Sequence, residues 1–449
     1  MKRVVPLHRL LGLGVLAAAM VWLVLAAACG GNDIPAPGPL PGPSPMPAPL
    51  TAVAPTSVVT STEETMALTW WTPEFISPGS QQPGGAILQE YITDFELSHG
   101  SKVRITPVIK AKYGKGGLLD SLRTAQPVAP SVLPDFVTID LAEVGQAAAL
   151  GALRPLDGLV DDETTARLYP FAQTSGHIEG QLLALPFAAD LEQLVFDPER
   201  VQTPPNTWVG LMTRNLAYLF PAGNPGAPLA VQPGILSHYL SAGGKIDPET
   251  RELVLEEGPL LRLLTFYHEA QVAGSFPSNI FEVTSLDETW NAYTQGSVPM
   301  ANVSARQYLV ARDSLPKTDF AAPPGWSGPV IPVSSGWGLA IVTPDPERQK
   351  VAAEFIAGLL TPNRAGQWAR AAGWLPTSPE ALATWGAASP TQVRPYSDFL
   401  DAELADAVSG PAGADSSAAA SRLQQAALDV LRGERTPDEA LKAALNPAK

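Results

Sequence analysis

The sequence predicts an α/β body of two lobes that are joined by hinge strands. Its 449 residues exceed what one hydrophobic core usually holds, so two packed units are expected from length alone. From residue 66 onward, short apolar runs alternate with segments of helical periodicity, which is typical of a mostly parallel sheet covered by helices. A polar break at residues 189–193 separates two apolar runs that read as buried strands, 182–185 and 194–196. We therefore expect the chain to pass from one lobe to the other at this break.

The first part of the body repeats the order strand, helix. Apolar runs predict the strands, and apolar residues at intervals of three and four predict the helices. The third helix closes at Gly151, and Pro155 turns the chain after it. The predicted strands are 66–71, 103–109 and 135–140, and the predicted helices are 88–100, 118–125 and 141–151.

Capping signals mark helices in the second part of the body. Asp345 followed by Pro346 opens one helix, and Thr436 with Glu439 forms a capping box that opens the last one. The chain is expected to recross to the first lobe at 320–324. The predicted helices are 207–218, 235–240, 259–273, 345–359, 416–431 and one that begins at 437. The predicted first lobe comprises 66–188 and 322–375, and the second comprises 189–321 and 376–449.

The N-terminus carries the signs of a targeting segment. Basic residues precede an apolar run at 10–28, which ends in small residues directly before Cys29. This order resembles a bacterial lipoprotein signal, which implies a signal peptide at 1–28 and a lipid on the Cys29 thiol. An uncleaved membrane anchor is the alternative, because the apolar run is long enough to span a bilayer.

A proline-rich segment follows the targeting segment. Residues 29–65 are rich in proline and small residues, which cannot build a core and favour extended conformations. We read this segment as a disordered linker that holds the folded body away from the membrane. The expected location is extracytoplasmic, with a lipid anchor in the cell membrane.

Composition excludes several classes of function. Lys and Arg number 29 against 44 Asp and Glu, a formal net charge of −15, which argues against a nucleic-acid partner. Cys29 is the single cysteine, so the body holds no disulfide. The five histidines lack metal-ligand spacing, and no phosphate-binding or nucleophile-elbow motif occurs. We therefore expect a binding protein without a catalytic residue, a cofactor or a metal.

The stretch that contains the polar break resembles a known family. A Pro-aromatic pair, a polar residue, an apolar strand ending in Asp, and a Pro-x-Thr-Trp helix start follow one another. Their order and spacing resemble extracellular solute-binding proteins of the sugar-binding class, family 1. The likeness continues over 66–445, including the turns at 296–300 and 373–376. The matching residues are Pro186, Phe187, Asp190, Phe196, Asp197, Pro205, Thr207 and Trp208.

The resemblance implies a periplasmic-binding-protein-like fold of type II and a transport function. Such a protein captures a solute, in the first place a sugar or an oligosaccharide, by closing its lobes. It then delivers the solute to the permease subunits of an ABC transporter, whose ATPase is a separate partner. The alternatives are a surface carbohydrate-active enzyme and a ligand-sensing module for a membrane receptor. A polyamine or a glycerol phosphate is the alternative ligand, and the protein is expected to be a monomer.

The candidate ligand site lies between the lobes. Ligands of open α/β sheets bind beyond the carboxyl ends of the strands, where aromatic faces pack on sugars and charged groups bind hydroxyls. Arg306 and Tyr308 enter the set through the family's spacing after Met300. Core packing is the alternative for Trp71 and Trp337, and a solvated surface position is the alternative for Arg306. The predicted ligand-binding residues are Trp71, Thr72, Glu74, Asp140, Phe187, Asp190, Arg306, Tyr308 and Trp337.

Overall fold

The computed structural model describes residues 65–446, apart from 227, 249, 388–393 and 413–415. The predicted signal peptide at 1–28, the predicted lipidation site Cys29 and nearly all of the predicted linker lie outside the described residues. Within the described part of the chain, none of the helices is both long and apolar enough to cross a membrane.

The described residues form strands and helices that alternate along most of the chain. The strands are β1 (Met66–Pro73), β2 (Val103–Lys110), β3 (Phe136–Asp140), β4 (His177–Ile178), β5 (Gln181–Leu182), β6 (Leu185–Asp190), β7 (Glu192–Phe196), β8 (Tyr218–Leu219), β9 (Lys245–Ile246), β10 (Leu253–Val254), β11 (Met300–Ser304), β12 (Asp319–Ala321), β13 (Val333–Ile341) and β14 (Val408–Ser409). The helices are α1 (Pro83–Ser98), α2 (Leu118–Ala125), α3 (Val144–Ala149), α4 (Asp162–Ala166), α5 (Pro170–Ser175), α6 (Trp208–Thr213), α7 (Pro233–Ser241), α8 (Glu257–Val272), α9 (Leu286–Thr294), α10 (Ala305–Ala311), α11 (Pro346–Leu359), α12 (Pro362–Ala372), α13 (Pro379–Ala387), α14 (Arg394–Asp406), α15 (Ser416–Leu431) and α16 (Pro437–Leu445).

A mixed sheet of six strands forms the centre of the first lobe. β1 lies between β2 and β3 and runs parallel to both. β13 runs antiparallel to β3 and β6, and β14 pairs with its start in parallel. Every residue of β3 is buried, as expected for a strand that is covered on both faces. The rings of Trp70 and Phe136 stack at 5.7 Å in this core.

A second sheet, in the order β12-β7-β11-β8, forms the centre of the second lobe. β7 is antiparallel to both β11 and β12, whereas β8 runs parallel to β11. The helices α8, α15 and α16 pack on one another in this lobe. Trp208, at the start of α6, stacks on Phe266 of α8 with ring centroids 4.2 Å apart. The prediction of two α/β lobes is therefore confirmed.

The chain passes between the two sheets at Leu191. Asp190 is the last residue of β6 and Glu192 is the first residue of β7. The chain returns between β12 and β13, and it leaves the first sheet again between β14 and α15. Leu375, after α12, exchanges two backbone hydrogen bonds with Ala189, at 2.8 and 3.0 Å. The turn after α12 is therefore tied to the first crossing.

The capping signals act as predicted. The Asp345 carboxylate accepts hydrogen bonds from the backbone N–H groups of Glu347 and Arg348 at the start of α11. Thr436 and Glu439 form the reciprocal capping box at the start of α16. α6 ends earlier than predicted, and Asn215 adopts a left-handed backbone conformation just beyond it.

The segment after residue 375 divides between the lobes. α13 packs against α12 of the first lobe, and β14 belongs to the first sheet. Gly366 explains the close contact of the two helices, because a Cβ there would lie 2.3 Å from the carbonyl oxygen of Ala381. The predicted second-lobe range 376–449 therefore includes α13 and β14, which pack with the first lobe, and α14, which contacts α5 of the first lobe.

Candidate ligand-binding cleft

A cleft of about 2040 Å³ lies between the two lobes. The segments that follow β2 and β3, the β4–β5 hairpin and the start of β13 line it from the first lobe. The segment 228–236, residues of the β9–β10 hairpin and the start of α10 line it from the second lobe. The first crossing and the turn after α12 also reach this cleft, so the hinge and the cleft share residues.

Four aromatic rings form a continuous row along the cleft, which we call the aromatic row. Tyr113 and Trp337 stack with centroids 6.0 Å apart, and Trp337 meets Phe75 edge to face at 5.3 Å. Phe75 in turn stacks on Trp374 at 5.7 Å. Trp337 and Trp374 are only 4% and 5% exposed, whereas Tyr113 and Phe75 are half-buried. Tyr113 and Phe75 therefore offer more ring surface to a ligand than the two indoles do.

A carboxylate ends the row beside Tyr113. Strand register places Asp140 of β3 opposite Trp337 of β13, so the two side chains belong to one site. The Tyr113 hydroxyl donates to Oδ2 of Asp140, and the backbone N–H of Ala142 donates to Oδ1 at 2.8 Å. Burial raises the pKa of Asp140 above its usual range, although the hydrogen bond from Tyr113 opposes this shift.

A second carboxylate lies directly behind Asp140. Glu143 is buried, and its Oε2 has no hydrogen-bond partner among the described residues. Burial and the neighbouring charge of Asp140 together raise the pKa of Glu143 to about 7. The protonation of Glu143 is therefore sensitive to pH near neutrality.

Another carboxylate, Asp190, lies at the hinge end of the row. Its Oδ1 accepts from the backbone N–H of Leu191 at 2.9 Å and of Arg306 at 3.3 Å. Its Oδ2 accepts from the Ser304 hydroxyl at 2.5 Å. Burial raises the pKa of Asp190, and the positive charge of Arg306 opposes the shift. Asp190 thus ties the end of β6 to the start of α10 across the crossing.

Arg306 covers the hinge end of the row from the second lobe. Its guanidinium carbon lies 3.3 Å from the ring centroid of Trp374. Its Nε donates to the carbonyl oxygen of Gly373 at 2.9 Å. Gly373 ends α12 in a left-handed conformation, with φ of 67°, which turns Trp374 toward the cleft.

The charges that line the cleft balance, although the whole chain carries a formal charge of −15. Among the described residues, as many lysines and arginines as aspartates and glutamates line it, with His177 counted as neutral. They are Lys112, Arg154, Arg251 and Arg306, and Asp140, Glu179, Asp190 and Glu252. The cleft is therefore far less acidic than the chain as a whole.

The structure brings four of the nine predicted ligand-binding residues together in the cleft. Asp140 and Trp337 lie side by side through strand pairing, and Asp190 and Arg306 meet at the first crossing. Trp337 lines the cleft and is also buried, so the packing alternative describes most of its surface.

Phe187 and Tyr308 of the predicted set do not line the cleft. Phe187 lies on β6 where the pairing with β13 shifts register, since Trp337 pairs with Ala188 and Gly338 pairs with Pro186. It packs against Trp368, with ring centroids 4.1 Å apart. Tyr308 lies two residues after Arg306 on α10, and residues so spaced do not share a helix face. It packs against Tyr396 at 5.1 Å.

The predicted residues near the end of β1 also lie outside the cleft lining. Trp71 is buried, with the ammonium group of Lys110 at 4.3 Å from its ring, as the core alternative for it predicts. The Thr72 hydroxyl is fully buried and donates to the carbonyl oxygen of Ile76 at 2.5 Å. Glu74 is exposed. The 3₁₀ turn that begins at Glu74 instead directs the next residue, Phe75, into the cleft.

Three rings of the aromatic row were absent from the predicted set. Trp374 lies in the Gly-x-x-Pro turn at 373–376, so the same motif that marked the family contained it. Phe75 adjoins the predicted Glu74. Tyr113 lies in a stretch of lysines and glycines that has no strand or helix pattern, so local periodicity gave no signal for it.

Comparison with protein families gives one match over most of the body. Residues 90–394 match the model of a family described as bacterial extracellular solute-binding protein. A curated relative, the maltotriose-binding protein of Pyrococcus abyssi (strain GE5 / Orsay), is 29% identical over 94 residues, or 21% of this chain. That match covers only 20% of the relative's own length.

Solved structures share the fold over nearly all of the described body. The cyclic alpha-maltosyl-1,6-maltose binding protein from Arthrobacter globiformis superposes with a TM-score of 0.67 at 20% identity, over 85% of this chain and 97% of that chain. The GacH receptor of Streptomyces glaucescens gives 0.64 at 20% identity, over 86% and 100%. A cyclo/maltodextrin-binding protein complexed with maltotetraose gives 0.66 at 15% identity, over 85% and 96%. These likenesses are of fold, and they confirm the prediction of a two-lobe, type II periplasmic-binding architecture.

Proposed function

The chain belongs to the family of bacterial extracellular solute-binding proteins, and on that premise we propose that it captures an oligosaccharide between its lobes for an ABC importer. The family consists of binding proteins of the extracellular space, so binding rather than catalysis, and a location outside the cytoplasm, are confirmed. The partners in this proposal are permease subunits and a separate ATPase.

The aromatic row carries the proposal of a sugar ligand. Aromatic faces pack on the C–H faces of sugar rings, and carboxylates and guanidinium groups bind hydroxyls. Tyr113 and Phe75 supply accessible ring surface, and Asp140 and Asp190 lie at either end of the row. Of the predicted residues, we propose that Asp140, Asp190, Arg306 and Trp337 belong to the binding site. The similar proteins named above include a maltotriose-binding protein and a cyclo/maltodextrin-binding protein complexed with maltotetraose, which supports the same ligand class.

The balanced charge of the cleft supports an uncharged ligand. A polyamine would favour an excess of carboxylates, and a glycerol phosphate would favour an excess of cations, because charged ligands bind best to complementary potentials. The lining residues provide neither excess among those described. An uncharged sugar therefore fits the cleft better than the two alternative ligands.

The size of the cleft supports several sugar units rather than one. Its volume of about 2040 Å³ lies above the ~300–1,000 Å³ that is usual for sites of small ligands. Closure of the lobes would bring the cleft residues of the second lobe onto a ligand that already lies on the aromatic row. The closed form then contacts the ligand from both sides.

Calorimetric titration tests the ligand class. We expect maltotriose and maltotetraose to bind more tightly than glucose, and spermidine and glycerol 3-phosphate to give no binding heat. Tighter binding of either charged compound would contradict the proposal, and so would the failure of all three sugars to bind.

Anchoring extends the proposal to the N-terminus. We propose cleavage after residue 28 and a lipid on Cys29, from the order of basic, apolar and small residues there. Cys29→Ser should leave the precursor uncleaved or release the body from the membrane fraction. Unchanged processing together with unchanged membrane retention would contradict lipidation.

A further inference from the structure

The side chains of Arg306 and Trp374 form a contact between the two lobes within the cleft. Arg306 belongs to the second lobe, at the start of α10, whereas Trp374 belongs to the first lobe, in the turn after α12. The guanidinium carbon lies 3.3 Å from the indole centroid, and Nε donates to the carbonyl oxygen of Gly373 at 2.9 Å. The contact therefore crosses from one lobe to the other beside the first crossing.

Trp374 has little surface left for a ligand. It is 5% exposed, with the guanidinium of Arg306 over its ring and Phe75 stacked on it with an interplanar angle of 20°. Phe75 is half-buried. Its ring also contacts the ring of Trp337 edge to face, with centroids 5.3 Å apart. Phe75 faces the cleft and packs on Trp374. The orientation of the Phe75 ring therefore depends on the indole of Trp374, which Arg306 holds in place.

The charge of Asp190 favours this arrangement of Arg306. Asp190 accepts the backbone N–H of Arg306, and its electrostatic attraction acts on the guanidinium that covers Trp374. A planar guanidinium stacks flat on the indole and donates from its edge to the carbonyl, whereas a lysine ammonium is a point charge without a flat face. Arginine is therefore the side chain that this geometry requires.

We propose that Arg306 is a positioning residue, which holds Trp374 and thereby fixes the face of Phe75 that a ligand meets. Contact of Arg306 with the ligand itself is then secondary. The inference rests on the proposed function for its ligand, but the Arg306–Trp374 contact precedes ligand binding. It can accordingly be measured in the ligand-free protein.

The test compares Arg306 with a matched arginine of the same lobe. Arg262 also approaches an indole, that of Trp326 at 5.8 Å, and its Nη1 donates to the carbonyl oxygen of Ala242 at 2.8 Å, but it does not line the cleft. The variants are Arg306→Lys and Arg306→Ala, with Arg262→Lys and Arg262→Ala as controls. Arg306→Lys keeps the charge, so it separates loss of stacking from loss of charge.

The first readout is the near-ultraviolet circular dichroism of Trp374 in the ligand-free protein. The chain has 10 tryptophans, so the signal of Trp374 is obtained as the difference that Trp374→Phe makes in each background. We expect this difference spectrum to be lost with either Arg306 variant and to persist with both Arg262 variants. Its persistence in the Arg306 variants would overturn the proposal, whatever the ligand proves to be.

The second readout is the affinity for maltotriose. Both Arg306 variants should weaken binding by about tenfold, because the ligand must then order the Phe75 ring itself, and the Arg262 variants should leave the affinity unchanged. Parent-like affinity in Arg306→Lys would overturn the role of planar stacking. Loss of all binding in Arg306→Ala with an intact Trp374 spectrum would instead identify Arg306 as a direct ligand contact. If the parent does not bind maltotriose, the ligand class fails and the spectra alone decide the role of Arg306.

Discussion

The two walls of the cleft differ in chemistry. The first lobe supplies all four rings of the aromatic row, held by strands, a 3₁₀ turn and a helix end. The described lining residues of the second lobe include no phenylalanine, tyrosine or tryptophan. Besides the charged Arg251, Glu252 and Arg306, they are mainly aliphatic, with Leu229 and Leu236 among them.

This difference indicates that the two lobes have different roles in ligand binding. An aromatic wall whose rings already pack on one another can hold a sugar before closure, because such rings lose little entropy on binding. An aliphatic wall with a few charged groups can then close over the ligand and exclude water. Affinity should therefore depend mainly on the first wall.

Among substitutions in the two walls, removal of the Trp337 side chain should have the largest effect, and the quantity that changes is the free energy of unfolding. Its indole is 4% exposed between Tyr113 and Phe75, so Trp337→Ala should lower the free energy of unfolding by about 3–5 kcal/mol. Trp326 of the second lobe is 44% exposed, and Trp326→Ala should cost about 1 kcal/mol or less. Urea unfolding of the ligand-free proteins measures both. Equal, small losses would mean that Trp337 does not support the first wall.

The carboxylate behind the first wall should make stability depend on pH. Because the pKa of Glu143 rises from 4.5 to about 7, the folded protein binds more protons than the unfolded chain between these values, and stability falls as pH rises through them. The penalty is complete well above pH 7 and amounts to at most about 3 kcal/mol, because solvent screens part of the shift. Glu143→Gln should therefore stabilise the protein at pH 8 and have little effect near pH 4.5.

Glu90→Gln, at an exposed position of α1, removes a carboxylate from the surface and provides the matched control variant. Unfolding free energies from pH 4 to pH 8 test the pair. Parallel profiles for Glu143→Gln and the parent would show that Glu143 does not carry the pH dependence.

Removal of Tyr113 should affect affinity rather more than stability. Tyr113 is half-buried and presents ring surface to the cleft, so Tyr113→Ala should weaken maltotetraose binding by about 2–3 kcal/mol. Leu229, on the opposite wall, is 38% exposed, and Leu229→Ala should weaken binding by less than about 1 kcal/mol. Calorimetric titration gives both values. A loss in Leu229→Ala as large as that in Tyr113→Ala would refute the proposed asymmetry of the walls.

Much of the fold could be predicted from local pattern. The apolar runs at 103–109 and 135–140 became β2 and β3, and the polar break around Asp190 coincides with the passage between the sheets. The spacing of apolar residues that marks a strand or a helix is a local property of the sequence, so it predicts these elements without knowledge of the fold. The family followed from the order of residues in the same stretch, and the family match confirms it.

The candidate site was less predictable, for two physical reasons. Phe187 and Tyr308 were expected in the cleft by motif. Helix geometry points Tyr308 away from Arg306, and this local rule could have excluded it. Phe187 lies at a register shift of β6 and packs against the distant Trp368, which no local rule predicts. The aromatic row likewise joins Phe75, Tyr113 and Trp374 through contacts between distant segments, which no local pattern encodes.

Small-angle scattering with and without maltotetraose tests capture between the lobes most directly. We predict a smaller radius of gyration for the ligand-saturated protein than for the ligand-free protein, and the same decrease for ligand-saturated Leu229→Ala. At the maltotetraose concentration that saturates the parent, Tyr113→Ala should keep the radius of gyration of its ligand-free form, because it binds the ligand more weakly. Tight calorimetric binding of maltotetraose with an unchanged radius of gyration would contradict capture by lobe closure.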